Sequence, residues 1–180
     1  MSFDNPDSLD LKGADKTFSI VAARFNRELI DGLLERTIDT LLEANVTRDN
    51  IKVVRVPGSN EIPYMAGMLA SSDEFDCVIC LGVVVAGETR HHEVIATSTA
   101  SALQVIGLEL EIPIINGIIV ANTLEDARAR TVGAINRGRE FAQAALEMAA
   151  HKRDFEAAFE SLMEDLEDED DDFDDLFDRN

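Results

Sequence analysis

Residues Phe75–Val85 read FDCVICLGVVV, an apolar run that only Asp76 and Gly82 interrupt. A strand with one solvent-exposed face alternates apolar and polar residues, whereas a run that is apolar at nearly every position indicates a strand buried on both faces. Such strands belong to parallel sheets whose two faces are covered by helices. We therefore expect this stretch to form a strand of such a sheet.

The rest of the chain repeats the pattern. Further strand-like runs lie at 17–25, 51–58 and 112–120, and helical periodicity separates them. The first predicted helix is 27–44, with Asn26 as its cap and a core stripe of Leu29, Leu33, Ile38 and Leu41. The second is 59–72, with Ser59 or Asn60 as its cap. Three more are predicted: from Glu88 to about Leu110, from Leu124, and from about Asn136. Alternating strands and helices predict a doubly wound, three-layer α/β fold.

Composition predicts one folded unit with a tail. A chain of 180 residues that is 46% hydrophobic has material for one substantial core. Its net charge of −20 is concentrated near the C-terminus, where EDLEDEDDDFDDLFD has too little apolar mass to fold alone. We expect a flexible segment at 1–15, a domain at 16–153, and an acidic extension at 154–180 that is partly helical and then disordered.

Charge and hydropathy exclude two classes of partner. No cluster of Lys and Arg offers the counterion release on which nucleic-acid binding depends. No apolar stretch has the length or purity of a membrane span, and the first residues lack the apolar core of a signal peptide. The expected location is the cytoplasm.

Cys77 and Cys80 form a C-x-x-C pair, a spacing that redox centres and zinc sites use. Within a strand, however, residues three apart point to opposite faces, which prevents a disulfide or a shared metal ion. We expect buried thiols. The adjacent His91 and His92 diverge by about 100 degrees on a helix and have no third ligand nearby, so no metal site is predicted.

Ligands of doubly wound folds bind where the carboxyl ends of the strands lead into helices. Four loops meet this description: 24–27, 57–61, 85–92 and 120–123. The third has the glycine spacing of a nucleotide-binding P-loop, but Glu88 replaces the lysine that such a loop requires. A turn at Gly87 followed by the free amides of Glu88 and Thr89 would instead suit a small phosphorylated molecule.

Four collinear motifs carry a family resemblance. ARFN (23–26), VPGSNEIP (56–63), CLGVVVAGETRHHE (80–93) and NRGREFAQAALEMA (136–149) resemble 6,7-dimethyl-8-ribityllumazine synthase, and the likeness extends from about Phe18 to Lys152. The resemblance implies a flavodoxin-like α/β/α sandwich with a four-stranded parallel sheet, assembled as pentamers or icosahedral shells with active sites shared between subunits. It also implies condensation of 5-amino-6-(D-ribitylamino)uracil with 3,4-dihydroxy-2-butanone 4-phosphate in riboflavin biosynthesis, without a cofactor.

The resemblance assigns proton transfer to His91, whose imidazole suits chemistry near neutral pH. His92 falls where the family usually has an aromatic residue, and both histidines can also be read as ordinary polar residues of a helix start. The residues that the resemblance places at the phosphate are Glu88, Thr89, Arg130 and Arg137. Arg128 is an alternative to Arg130, because the segment ARARTVGAINRG (127–138) is one residue shorter than the corresponding segment of the family. All these arginines can also be read as part of a solvated helix face.

The resemblance places the pyrimidine substrate against the ring of Phe25, with the alternative that this ring belongs to the core. The other residues at that end are Ser59, Asn60 and Glu61 for the ribityl chain, Val83, Val84 and Val85 for backbone contacts, and Asn116 from the neighbouring subunit. Asn60 and Asn116 replace aromatic residues, and Ala86 replaces an arginine. Asn116 is read equally well as a local partner of the backbone. These departures suggest an alternative function, a weakened relative that binds ligand or forms shells.

The tail carries its own pattern. Phe155, Phe159, Leu162 and Leu166 follow helical spacing, which predicts that the last helix continues into the extension. Phe173, Leu176 and Phe177 add an apolar patch within dense acid, as interaction segments do. A solubilising tail is the simpler interpretation.

Overall fold

A four-stranded parallel sheet in the order β2-β1-β3-β4 forms the middle layer of the computed structural model. The strands are β1 (Phe18–Ala23), β2 (Ile51–Val56), β3 (Cys77–Val85) and β4 (Ile114–Ala121). The helices are α1 (Arg27–Glu43), α2 (Ile62–Ala70), α3 (His91–Glu109), α4 (Leu124–Thr131) and α5 (Arg137–Phe177). The structure describes the backbone of residues 12–135 and 137–177, with side chains as far as 166 except that of 165. The predicted three-layer α/β fold with four parallel strands is confirmed.

The core lies around β1 and β3, the two inner strands. All six residues of β1 and the first seven of β3 are buried. Helix α1 packs against α4 and α5, whereas α2 packs against α3, so the sheet is covered on both faces. Cys77 and Cys80 are buried free thiols, as predicted. Burial raises the pKa of both thiols and keeps them protonated and unreactive.

Helix α1 begins where the sequence predicts, but for a different reason. Leu29, Leu33 and Leu41 of its stripe are buried, and Ile38 is partly buried against the core. Asn26 precedes the helix with φ 56° and ψ 45°, and its side chain makes no capping hydrogen bond. The expectation of an Asn26 cap is therefore wrong.

Helix α2 also starts differently from the prediction. Ser59 and Asn60 cap nothing, because residues Ser59–Glu61 form a 3₁₀ turn that leads into the helix at Ile62. The Glu61 carboxylate instead accepts a hydrogen bond from the Gly58 amide at 2.8 Å. This hydrogen bond between Glu61 and Gly58 closes the loop after β2.

Helix α3 begins at His91, three residues later than predicted. Glu88 and Thr89 lie in the loop before it, so the unpaired amides of its first turn begin at His91 instead. Gly87 has no positive φ, so the turn there does not need a left-handed backbone. His91 is therefore the first residue of α3, whereas the prediction placed it within the helix.

The start of the described chain is held at the amino edge of the sheet by contacts with the residue after α1 and with α5. Gly13 donates its amide to the Ala44 carbonyl at 2.8 Å, and the guanidinium of Arg153 donates to the Asp15 carboxylate at 2.9 Å. Residues 1–11 of the predicted flexible segment lie outside the described residues. Helix α5 continues past Arg153 to Phe177. The predicted extension of the helix is seen, while the division of the chain at Arg153 stays a prediction.

Within the described range, every helix is too short or too polar to cross a bilayer.

Candidate active site at the carboxyl ends of the strands

The loop after β1 is hydrogen-bonded to the loop after β2 and to the last residues of β3. The Phe25 amide donates to the Pro57 carbonyl at 3.2 Å. The Asn26 side-chain amide donates to the Val83 carbonyl at 2.9 Å. Predicted site residues that are distant in sequence therefore lie at the same edge of the sheet. We call the site residues from the ends of β1, β2 and β3 to the start of α3 the first cluster; it contains Phe25, Ser59, Asn60, Glu61, Val83, Val84, Val85, Glu88, Thr89 and His91.

Phe25 presents its ring to solvent. The residue is 76% exposed, although it follows directly on a strand that is fully buried. A core aromatic would be covered, so the alternative interpretation of Phe25 as a core residue is wrong. An exposed ring at the carboxyl end of a parallel strand is available for stacking on a planar ligand.

The loop after β2 places one polar side chain inward and one outward. Ser59 is buried, and a Cβ atom added at Gly82 would lie 2.6 Å from its hydroxyl oxygen. Asn60 is exposed. Because Gly82 has no side chain, this loop can pack directly against β3.

The end of β3 offers unpaired backbone. The ladder between β1 and β3 stops at the pair Ala22 and Leu81, whereas the ladder between β3 and β4 continues to Val85. Val83–Val85 therefore lack a neighbouring strand on the β1 side, where the Asn26 side chain uses one carbonyl. The role of these valines as backbone contacts to a ligand stays a prediction.

His91 and His92 have different surroundings. His91 is exposed as the first residue of α3. A ring nitrogen of His92 lies 3.0 Å from the Thr89 carbonyl oxygen and so links the helix to the loop before it. This contact holds the His92 ring against the loop, whereas the His91 ring has no hydrogen-bond partner among the described residues. Among the described residues, no group of His, Cys, Asp and Glu is arranged to hold a metal ion.

The other predicted site residues line a separate groove. It has a volume of about 450 Å³ beside the edge strand β4 and contains Asn116, Arg130 and Arg137. No residue of the first cluster lines it. We call these three residues the second cluster. One chain thus carries the predicted site in two parts.

The structure separates Arg130 from its alternative. Arg128 makes two hydrogen bonds to the Glu28 carboxylate, at 3.1 and 2.9 Å, and does not line the groove. Arg130 lies in the groove and donates to the Asp126 carbonyl at 2.9 Å. The geometry therefore favours Arg130 as the anion-binding residue.

Asn116 uses its side chain locally. Its Oδ1 accepts the Ile118 amide at 3.1 Å along the edge of β4. Of the two interpretations of Asn116, the local partner of the backbone is the one seen in the single chain.

Sequence reasoning missed three residues of the site. Asn26 was read as a helix cap but connects the loop after β1 to strand β3, and the available signal in the sequence was its residue type, because Asn tolerates the left-handed backbone seen there. Asp126 and Glu140 pair with Arg130 and Arg137 at helical spacings of four and three residues. These spacings are visible in the sequence and predict that both arginines are held in place before any ligand binds.

Asn26 gives a test of how the first cluster is held together. Asn26→Ala removes the hydrogen bond to Val83 and places alanine in a left-handed conformation, at a combined cost of about 2 kcal/mol in the free energy of unfolding. Asn26→Gly removes only the hydrogen bond and is expected to cost about 1 kcal/mol or less. Urea denaturation of both variants measures the difference. Equal losses would show that backbone strain plays no part.

Comparison with known proteins decides the family. Residues 15–153 match the family model described as 6,7-dimethyl-8-ribityllumazine synthase. The chain belongs to this family. It is 40% identical over 141 residues to the 6,7-dimethyl-8-ribityllumazine synthase of Desulfotalea psychrophila, covering 78% of this chain and 91% of that one. It is 46% identical over 134 residues to the enzyme of Aquifex aeolicus, covering 73% and 86%.

A third lumazine synthase, from Nitrosospira multiformis, is 37% identical over 147 residues, which are 82% of this chain and 90% of that one. The family match contains both clusters and ends at Arg153. Residues 154–180 therefore lie outside the part of the chain that the family model describes.

Proposed function

We propose that this protein condenses 5-amino-6-(D-ribitylamino)uracil with 3,4-dihydroxy-2-butanone 4-phosphate, forming 6,7-dimethyl-8-ribityllumazine and releasing phosphate, as a step of riboflavin biosynthesis. The observation that carries the proposal is the family match over 15–153, which includes both clusters. Both substrates are small molecules. The comparisons do not favour the alternative of a weakened ligand-binding or shell-forming relative.

The first cluster would bind the pyrimidine and move protons. The exposed ring of Phe25 would stack on the uracil, and Ser59, Asn60 and Glu61 would meet the ribityl chain. The unpaired backbone of Val83–Val85 offers donors and acceptors to the edge of the ring. His91 would accept and donate protons during imine formation, phosphate elimination and ring closure.

The second cluster would bind the phosphate. Arg130 and Arg137 supply cationic donors, and charge-assisted hydrogen bonds to phosphate are the strong ones. Glu88 and Thr89 would complete the site from the loop before α3, where the first turn of a helix has unpaired amides. Asn116 would reach the pyrimidine from the same subunit as the two arginines.

The division into two clusters supports a site shared between subunits. The first cluster lies at the carboxyl ends of β1, β2 and β3, and the groove of the second lies beside the edge strand β4. We propose that the first cluster of one subunit faces the second cluster of its neighbour in a pentamer or an assembly of pentamers. Closed rings are built from such head-to-tail contacts. Location in the cytoplasm also stays a prediction.

A shared site predicts complementation between two variants, each of which is slow when the butanone phosphate is supplied well below the wild-type KM. His91→Ala damages only the first cluster, and Arg130→Ala damages only the second. When the two are co-expressed in equal amounts, about a quarter of the interfaces pair an intact first cluster with an intact second one. We expect the mixed assembly to form lumazine at about a quarter of the wild-type rate.

The control is a mixture of the two proteins purified separately and combined without subunit exchange, which should show only the sum of the two low rates. If the co-expressed assembly also shows only that sum, the two clusters belong to sites within single chains and the shared site is wrong.

Arg130 and Arg128 offer a matched pair for the phosphate subsite. Arg130→Ala removes a donor from the groove and is expected to raise the KM for the butanone phosphate about tenfold or more, because hydrogen bonds to charged groups contribute about 1.5–3 kcal/mol. Arg128→Ala removes only an exposed ion pair with Glu28 and should leave this KM within about twofold. Steady-state kinetics at saturating pyrimidine measures both. The reverse pattern would assign the phosphate to Arg128.

A further inference from the structure

Beyond the family match, helix α5 carries an uncovered row of large apolar residues. Phe155 is 73% exposed, Phe159 54%, Leu162 54% and Leu166 50%. Their spacings of four, three and four residues place them on one face of the helix, in the repeat that helices use to pack along one another. We call these four residues the apolar row. A row of this size on a helix surface marks an interaction site.

The apolar row continues onto the body of the protein. The rings of Phe155 and Phe159 lie nearly parallel, with centroids 6.4 Å apart and planes 16° from each other. Both rings line a groove of about 1140 Å³ whose opposite side is formed by Leu108, Leu110 and Ile112. The groove adjoins the start of β4, so it lies at the amino edge of the sheet, at the opposite end from the first cluster.

The charge around this surface is strongly negative. Asp73, Glu111 and Glu156 lie among the groove residues, and the Lys152 ammonium is already paired with the Glu156 carboxylate. Residues 154–180 contain 14 Asp and Glu against one Arg. A second copy of this helix would bring like charges together, whereas a basic partner would meet complementary charge along the whole surface.

We propose that the apolar row and the adjoining groove form a docking surface for a basic amphipathic helix of another protein. The partner helix inserts its apolar face between the apolar row and the leucines at and just after the end of α3, and its Lys and Arg residues meet the acidic rim. The 24 residues of α5 after Arg153 extend about 36 Å, enough for three heptads of such a contact. The surface serves binding and takes no part in the condensation.

The test uses a fluorescently labelled 21-residue peptide with leucine at the first and fourth positions of each heptad and lysine on both sides of them. A control peptide has the same composition in scrambled order, so that its leucines form no face. Fluorescence anisotropy with the full-length protein measures both affinities. Phe159→Glu combined with Leu162→Glu disrupts the apolar row, and Ser161→Glu adds a negative charge on another face of the same helix.

We expect the amphipathic peptide to bind wild type and the Ser161→Glu variant equally, to bind the double variant at least tenfold more weakly, and to bind less tightly as salt is raised. Lumazine formation should be unchanged in every variant. Absence of binding, or equal binding of the scrambled peptide, would overturn the proposal. A change in the mass of the assembly on introducing the double variant would also overturn it, because the apolar row would then be covered by another copy of the chain.

Discussion

Replacement of His91 by alanine is expected to lower kcat for lumazine formation about 100-fold, the lower range of what a positioned acid or base contributes. The imidazole lies exposed at the start of α3, beside the loops that carry the rest of the first cluster. The reaction transfers several protons. Removing the His91 imidazole should therefore lower the rate of the chemical step and leave substrate binding unchanged. Absorbance of the product, corrected for the uncatalysed condensation, measures the rate.

His151→Ala is the matched control. His151 is an exposed histidine of α5 whose ring faces Glu147, away from both clusters. It should retain the wild-type rate and the wild-type stability. If His91→Ala also retained the wild-type rate, proton transfer would have to be assigned to another group, and the interpretation of His91 as a polar residue of the helix start would be correct.

Replacement of Asp76 by alanine is expected to lower the free energy of unfolding by about 3 kcal/mol. The Asp76 carboxylate is almost fully buried and accepts the Thr17 amide at 2.6 Å and two donors of the Arg153 guanidinium at 2.6 and 2.9 Å. Its removal takes the acceptor from the partly buried Thr17 amide and leaves the Arg153 guanidinium with Asp15 as its remaining carboxylate partner. The pair also connects the middle of α5 to the start of β3. Urea denaturation at pH 7 measures the loss.

The loss should depend on pH in a stated direction. Burial opposes ionisation of Asp76, but hydrogen bonds from Arg153 and Thr17 outweigh it and hold the pKa of this carboxyl below its ordinary value of 3.8. A carboxylate whose pKa is lowered by folding stabilises the protein above that ordinary value and ceases to do so as the pH falls through the lowered one. The difference between wild type and Asp76→Ala should therefore stay constant from pH 7 to about 5 and shrink below about pH 4.

Asp154→Ala, which removes an exposed carboxylate next to Arg153, provides the control and should change stability by less than about 0.5 kcal/mol. A loss for Asp76→Ala no larger than this would show that the pair with Arg153 does not hold α5 in place.

The sheet could be predicted because its strands are buried on both faces. A run such as Phe75–Val85 has one plausible structure in an alternating chain, and the order of elements then implies the parallel sheet. Helix starts were less predictable. Asn26 has a good capping side chain, but tertiary structure directs it to the Val83 carbonyl, and the helix begins without it.

The candidate site was predictable in its members and less so in their arrangement. The family resemblance predicted the residues of both clusters. Nothing in the sequence, however, shows that Phe25 and Arg130 lie in separate parts of the same chain. The choice between Arg128 and Arg130 needed the structure, because each has an acidic partner and only the position relative to β4 distinguishes them. The exposure of Phe25 likewise follows from where β1 ends and not from its composition.

The most direct test is to supply the wild-type protein with 5-amino-6-(D-ribitylamino)uracil and 3,4-dihydroxy-2-butanone 4-phosphate and to follow lumazine by absorbance and phosphate release in the same sample. We expect a rate well above the uncatalysed condensation, with about one phosphate released for each lumazine formed. A rate equal to that of the blank would contradict it and would mean that the substitutions at Asn60, Ala86 and Asn116 have abolished the family's reaction in this protein.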